Sequence, residues 1–300
     1  MNKKAPPVVL KNVTKHYGSF VGIEDISLTL QAGEIFGFLG PNGAGKTTTI
    51  NMLVNLTKPT SGNIELFGLD NQLYGIESRR RIGYLAGDMS LDKNLTGAQQ
   101  LEYFGRMRGT YEEAYIKELA TRLGCDLTRK IKTLSRGNKQ KVALISALAH
   151  KPELLILDEP TSGLDPLVQA EFNEIIQEHK KAGKTAFISS HVLSEVQELC
   201  DRVAFIREGK LIANKPLKEI VRGAPKRVRI ITKTKQDATK AATITGLTGV
   251  TQQDVVVRGV FGGESNTLLK ELAKLSVVDI SIEDADLETI FMQYYGEHNA

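Results

Sequence analysis

Gly40-Pro41-Asn42-Gly43-Ala44-Gly45-Lys46-Thr47 has the spacing G-x-x-x-x-G-K-[ST]. The compact apolar run Glu34-Ile35-Phe36-Gly37-Phe38-Leu39 precedes it, and a stretch with Ile50, Leu53 and Val54 at helical spacing follows. Strand, glycine turn and helix form the setting in which this pattern binds phosphate. Glycines let successive backbone N–H groups converge on one small concavity. The helix that starts near Lys46 points its positive end at the same spot. Lys46 is expected to reach the β- and γ-phosphates, and the Thr47 hydroxyl to ligate Mg²⁺. Taken alone, the pattern also fits a plain glycine turn with a solvated lysine.

Outward from this loop, Leu154-Leu155-Ile156-Leu157-Asp158-Glu159 reads as a buried strand ending in two carboxylates, and Pro160 stops it. Strand ends are where open α/β sheets place ligands. Asp158 is expected to hold Mg²⁺ and Glu159 to polarise an attacking water. An isolated Asp-Glu pair would be only a charged strand end; the upstream phosphate loop favours the site. Short β-like runs occupy residues 8–35, and a helical stretch runs from about Thr96 to His150. Further strand and helix signals alternate as far as Leu211. This predicts a largely parallel α/β sheet with a helical subdomain inserted at about 91–152. The stretch Pro216–Arg227 reads as a linker. Beyond it, the β-like runs RVRIITK, DVVVRGV and SVVDISI and the helical stretches NTLLKELAKL and ADLETIFMQYY predict a small α+β domain. The expected division is 1–222 and 223–300.

Composition narrows the function classes. With 41% hydrophobic and 25% charged residues the 300-residue chain is globular rather than disordered. Two cysteines make no disulfide framework. No apolar run approaches the length of a membrane span, and MNKKAPPVVL carries no secretory h-region, so the chain reads as cytosolic. A net charge of +4 without a basic-aromatic stripe argues against nucleic acid as a partner.

The runs LSRGNKQK, DEPTSGLDP and SSHVLSEVQELCDRVAFIREGKL, in this order after the phosphate loop, resemble the ATPase subunits of ABC transporters over about Val8 to Ile212. The resemblance implies a P-loop NTPase fold: a RecA-like core, an antiparallel β-subdomain and the inserted helical subdomain. It implies ATP and Mg²⁺ as cofactors, bound by Gly40 to Thr47 together with Thr48. Tyr17 matches the aromatic residue that stacks on adenine; without the family it is as well a turn or core residue. Ser135 and Gly137 match the signature that reaches the γ-phosphate held by a second subunit. Asp165 matches the aspartate that links the two sites, and His191 the histidine that contacts the γ-phosphate. Ser135 and Asp165 are equally good helix caps, and the two roles are compatible. Two departures stand out. Gly87 occupies the slot of a Mg²⁺-ligating glutamine, so Asp88 or water is expected to supply the missing ligand. Arg136 and Asn138 replace a glycine and a glutamine of the signature, Arg136 facing either phosphate or solvent.

The resemblance therefore implies an ATP hydrolase acting as a head-to-tail homodimer on a separate membrane permease, peripheral on the inner face of the cell membrane. The C-terminal segment resembles the small domain of stand-alone subunits of bacterial exporters. The competing reading is a soluble ABC-type ATPase acting on nucleic acid or ribosomes; a single cassette with a modest insertion weighs against it. A degenerate regulatory subunit is disfavoured by intact Lys46 and Glu159.

Overall fold

In a computed structural model the described residues are 5–88, 90–222 and 225–284. The chain divides into two compact units, Met1–Lys215 and Pro216–Ala300. The first begins with strands β1 (Val8–Tyr17) and β2 (Phe20–Leu30), paired antiparallel so that Tyr17 lies opposite Phe20. There follow β3 (Ile35–Leu39), α1 (Lys46–Leu53), β4 (Ser61–Leu66), β5 (Leu69–Asp70), α2 (Gly75–Arg80) and β6 (Ile82–Leu85). Helices α3 (Gly97–Arg108), α4 (Glu113–Arg122) and α5 (Arg136–Leu148) come next. The unit continues with β7 (Leu154–Asp158), α6 (Pro166–Lys181), β8 (Thr185–Ser190), α7 (Leu193–Leu199), β9 (Arg202–Arg207) and β10 (Lys210–Pro216).

Two sheets result. One has the order β2-β1-β4-β5, with antiparallel pairs; the other is six-stranded, in the order β10-β9-β3-β8-β7-β6. In the second, β3, β8, β7 and β6 pair parallel. Every residue of β3, β7 and β8 is buried, as expected for strands covered on both faces. The rings of Phe36 and Phe38 lie 5.8 and 5.3 Å from that of Phe187 and tie β3 to β8. The helical insertion leaves the sheet after β6 and returns at β7, its parallel neighbour. It therefore costs the sheet no pairing. Local chemistry shapes it: Thr96 and Gln99 form a reciprocal capping box at the start of α3, and Gly109 (φ 75°) ends that helix.

The second unit holds α8 (Leu217–Arg222), β11 (Lys226–Thr232), α9 (Lys235–Ala242), β12 (Leu247–Gln253), β13 (Val256–Phe261), α10 (Ser265–Leu272) and β14 (Val277–Asp284). Its sheet runs β12-β13-β11-β14, a split βαβ arrangement with its own core around Val228, Ile230, Val257, Phe261 and Leu268. Two local readings change. The expected linker contains α8, whose apolar residues Leu217 and Ile220 are buried. LTGVTQQ forms β12, although its strand pattern is broken by glycine and glutamines; pairing along β13 makes it a strand. The final helical stretch, ADLETIFMQYY, lies outside the described residues.

Strand register positions the site. Leu39 lies beside Ser190, and Asp158 beside Ser189. The carboxyl ends of β3, β7 and β8 therefore open on one level, where the phosphate loop, Asp158-Glu159 and His191 emerge.

Candidate active site

A cleft of about 420 Å³ opens at those strand ends, lined by the phosphate loop and by Asp158, Glu159 and His191. Gly45 makes the loop possible. Its φ is 111°, and a Cβ there would meet the Gly22 carbonyl oxygen at 2.8 Å. Lys46 follows, only 6% exposed, with Nζ donating to the carbonyls of Gly40 (2.7 Å) and Pro41 (3.2 Å). The same ammonium lies 3.4 Å from Oε1 of Glu159. The loop thus fixes its own cation at the mouth of α1.

Asp158 is 2% exposed and both its oxygens are engaged. Thr47 Oγ1 donates to Oδ2 at 2.9 Å, and Ser189 Oγ donates to Oδ1 at 2.5 Å. Tyr84, half-buried on β6, has its phenol held above the ordinary value by burial and by the charge of Asp158. Glu159 adopts φ 50°, a left-handed backbone rare for a residue with a long side chain. Its backbone N donates to Ser189 O (3.3 Å) and Ser189 Oγ (3.1 Å), which holds the turn. Its carboxylate oxygen Oε2 then sits 2.6 Å from His191 Nδ1.

Two buried residues that hold the site together escaped the sequence reading. Ser189 is wholly buried and joins the Asp158 carboxylate to the Glu159 backbone, donating to the first and accepting from the N–H of the second. The dipeptide Ser189-Ser190 before His191 was the only local sign of it. Gln140, also buried, donates to the carbonyls of Pro160 (2.9 Å) and Glu159 (3.3 Å), tying α5 to the turn after β7. A lone glutamine within a helix gives no such signal.

The other expected residues fall in different places. Gly87 lines the cleft, and a Cβ built on it lies 3.1 Å from Asp158 Oδ2, so position 87 faces the carboxylate. Asp88 is exposed and is not part of the lining. The structure thus brings the glycine, not the aspartate expected to replace a ligand, to Asp158. Phe20 lines the cleft whereas Tyr17, 46% exposed, does not. The Tyr17 ring nonetheless borders it: a Cβ on Gly22 would stand 3.0 Å from the Tyr17 ring and 3.1 Å from the Thr48 methyl. Ser135 caps α5, accepting from Asn138 N at 3.3 Å, and Asp165 caps α6, accepting from Val168 N at 3.1 Å. Neither they nor Gly137 line the cleft, although Arg136 between them does. Gly137 has a packing role as well, since a Cβ on it would sit 2.6 Å from the Gly163 carbonyl oxygen.

Buried lysine in a glycine loop, a hydroxyl and carboxylate in contact, and a glutamate paired with histidine form a polyphosphate-hydrolysing arrangement. Residues 23–162 match the family model described as ABC transporter. Over 208 residues the chain is 42% identical to the bacitracin transport ATP-binding protein BcrA of Bacillus licheniformis, a match that covers 68% of either chain. The chain belongs to the ABC transporter ATP-binding proteins. This ABC subunit is also 39% identical to Nod factor export ATP-binding protein I of Burkholderia lata, over 69% of its own length and 70% of that relative. A solved dimeric ATP-binding cassette in a post-hydrolysis state, bound to ADP and Pi, superposes with TM-score 0.64 at 25% identity, covering 70% of this chain and 98% of that one. The ABC subunit has the P-loop NTPase fold and is an ATP hydrolase.

Proposed function

We propose that this ABC subunit closes as a head-to-tail homodimer on two ATP molecules, reopens after hydrolysis, and so drives export through a separate membrane permease. One observation carries the reading. Lys46, Thr47, Asp158, Glu159 and His191 share one cleft, whereas Ser135 and Gly137 lie outside it on the same chain. They are left for the nucleotide of a second copy. In that arrangement the phosphate loop from Gly40 to Thr48 holds the triphosphate, and Tyr17 and Phe20 stand beside its base. Glu159, oriented by His191 Nδ1, polarises the attacking water. Asp165 couples the two sites through the turn that it caps.

The residues present fit Mg²⁺. Thr47 Oγ1 and Asp158 Oδ2 are hard oxygen donors 2.9 Å apart. Among the described residues no cluster of three His, Cys, Asp or Glu forms a protein cage. Mg²⁺ commonly takes one or two protein oxygens and completes its shell with substrate phosphates and water. When bound, it would neutralise charge developing on the phosphates.

Among the described residues no helix is long and apolar enough to cross a membrane, which suits a permease supplied by another chain. A groove of about 730 Å³ between α2 and α3, with Ile76, Phe104 and Met107 among Arg79, Arg80 and Arg108, offers such a partner a docking face. Docking there would hold the subunit on the inner face of the membrane. Export is carried over from the transport and export named for the relatives.

The test is the mass of Glu159→Gln in solution with Mg-ATP and with Mg-ADP. A dimer with ATP and a monomer with ADP is the expected result. The same mass in both nucleotides would remove the closing-dimer reading.

A further inference from the structure

We propose that Arg136 contacts the terminal phosphate of the ATP bound in its own chain's cleft. The family pattern directs the residues on either side of it, Ser135 and Gly137, to a second chain. Arg136 itself lines the cleft that contains Lys46, Glu159 and His191. The assignment concerns the isolated chain and holds whether or not two copies close on ATP.

Three observations converge. The first is placement. Arg136 opens α5, and Gln140 lies one turn further on the same helix face. Gln140 is anchored to the carbonyls of Pro160 and Glu159, and Gly137 packs on the Gly163 carbonyl with no room for a Cβ. The start of the helix is therefore pinned on the turn that carries Glu159, and its first side chain reaches Ser162 of that turn. The second is partnering. Among the described residues no carboxylate forms an ion pair with this guanidinium. Its recorded contact is Nη2 to Ser162 Oγ at 3.5 Å, the long limit of a hydrogen bond. Lys46 and His191, by contrast, both engage Glu159. A guanidinium with most of its five donors uncommitted suits the fork of oxygens on a phosphate.

The third is charge. Among the charged residues lining the cleft, Lys46 and Arg136 are cations and Asp158 and Glu159 are anions. Without Arg136 the lining carries a net negative charge toward a polyanionic ligand; with it the lining is neutral. Its contact with Ser162, on the turn that follows Glu159, assigns the guanidinium to the γ- rather than the α-phosphate. ATP should gain from it and ADP should not.

The experiment compares full-length wild type, R136Q and R136K. Dissociation constants for Mg-ATP and Mg-ADP are measured at a protein concentration where sedimentation shows monomers, with melting temperatures of the free chains alongside. A charge-assisted phosphate contact predicts that R136Q weakens Mg-ATP about tenfold and changes Mg-ADP by less than about twofold. R136K should stay within about threefold of wild type for both. Melting temperatures should agree. Equal affinities of R136Q and wild type for ATP, or equal weakening for both nucleotides, overturns the assignment. So does a loss for ATP that emerges only when the chains associate. If R136Q melts early, R136K decides: unchanged melting with ATP affinity as low as that of R136Q also overturns it.

Discussion

Glu159 concentrates the chemistry of the site. Its left-handed backbone is held by Ser189, and its carboxylate lies between His191 and Lys46. Removing the charge while keeping the shape should therefore affect turnover more than binding. Glu159→Gln is expected to retain Mg-ATP binding and to lose at least about a hundredfold in kcat, read by steady-state phosphate release. Lys46→Ala, which removes the cation that the loop fixes, should instead abolish nucleotide binding in the same titration. Position 87 gives a sharper test. Because Gly87 faces Asp158 and Asp88 is exposed outside the lining, Asp88→Ala should show the wild-type Mg²⁺ dependence of hydrolysis. A shift of that curve to higher Mg²⁺ would return Asp88 to the metal site.

At the scale of elements, the core sheet depends on how its helices cover it. His179 of α6 is 9% exposed, and its Nε2 donates to the Thr185 carbonyl at the start of β8. Burial, together with the charge of Lys184, pushes its pKa down to about 4. A histidine depressed in the folded state gains its proton more readily on unfolding. Its stabilising effect is complete above the ordinary histidine value of about 6.5 and is lost as pH falls through about 4. Urea melts are expected to show stability falling over that window, by about 3 kcal/mol for this group. The fall should be smaller in His179→Gln. An identical pH profile in the variant would show that His179 is not the group responsible. His150, also depressed to about 4 by burial, will sustain part of the slope in both proteins.

On the scale of the whole molecule, each unit has a core of its own: one around β3, β7 and β8, the other around β11, β13 and α10. The candidate ATP cleft is lined by residues of the first unit. Calorimetry should resolve two transitions, with Mg-ATP raising the one that belongs to residues 1–215 and leaving the other in place. A single transition that moves as one would show the units to be energetically coupled. The phosphate loop, the two carboxylates, the insertion and the capped helices were all legible in the linear chain. Each rests on local rules: glycines at a tight turn, an apolar run stopped by Pro160, Ser135 and Asp165 at helix starts. α8 and β12 were not legible, because their residues have weak intrinsic patterns and are stabilised by neighbours in the fold. The same division applies to the site. The sequence by itself named the groups that meet in the cleft, since the glycine loop that presents Lys46 and Thr47 and the apolar strand that ends at Asp158 are set by residues beside them. Only the tertiary structure decided that Ser189 links the Asp158 carboxylate to the Glu159 backbone, that Gln140 and Arg136 reach the cleft, and that Gly87 rather than Asp88 faces Asp158. Those contacts join distant parts of the chain, and they follow from strand register and from where an inserted helix returns.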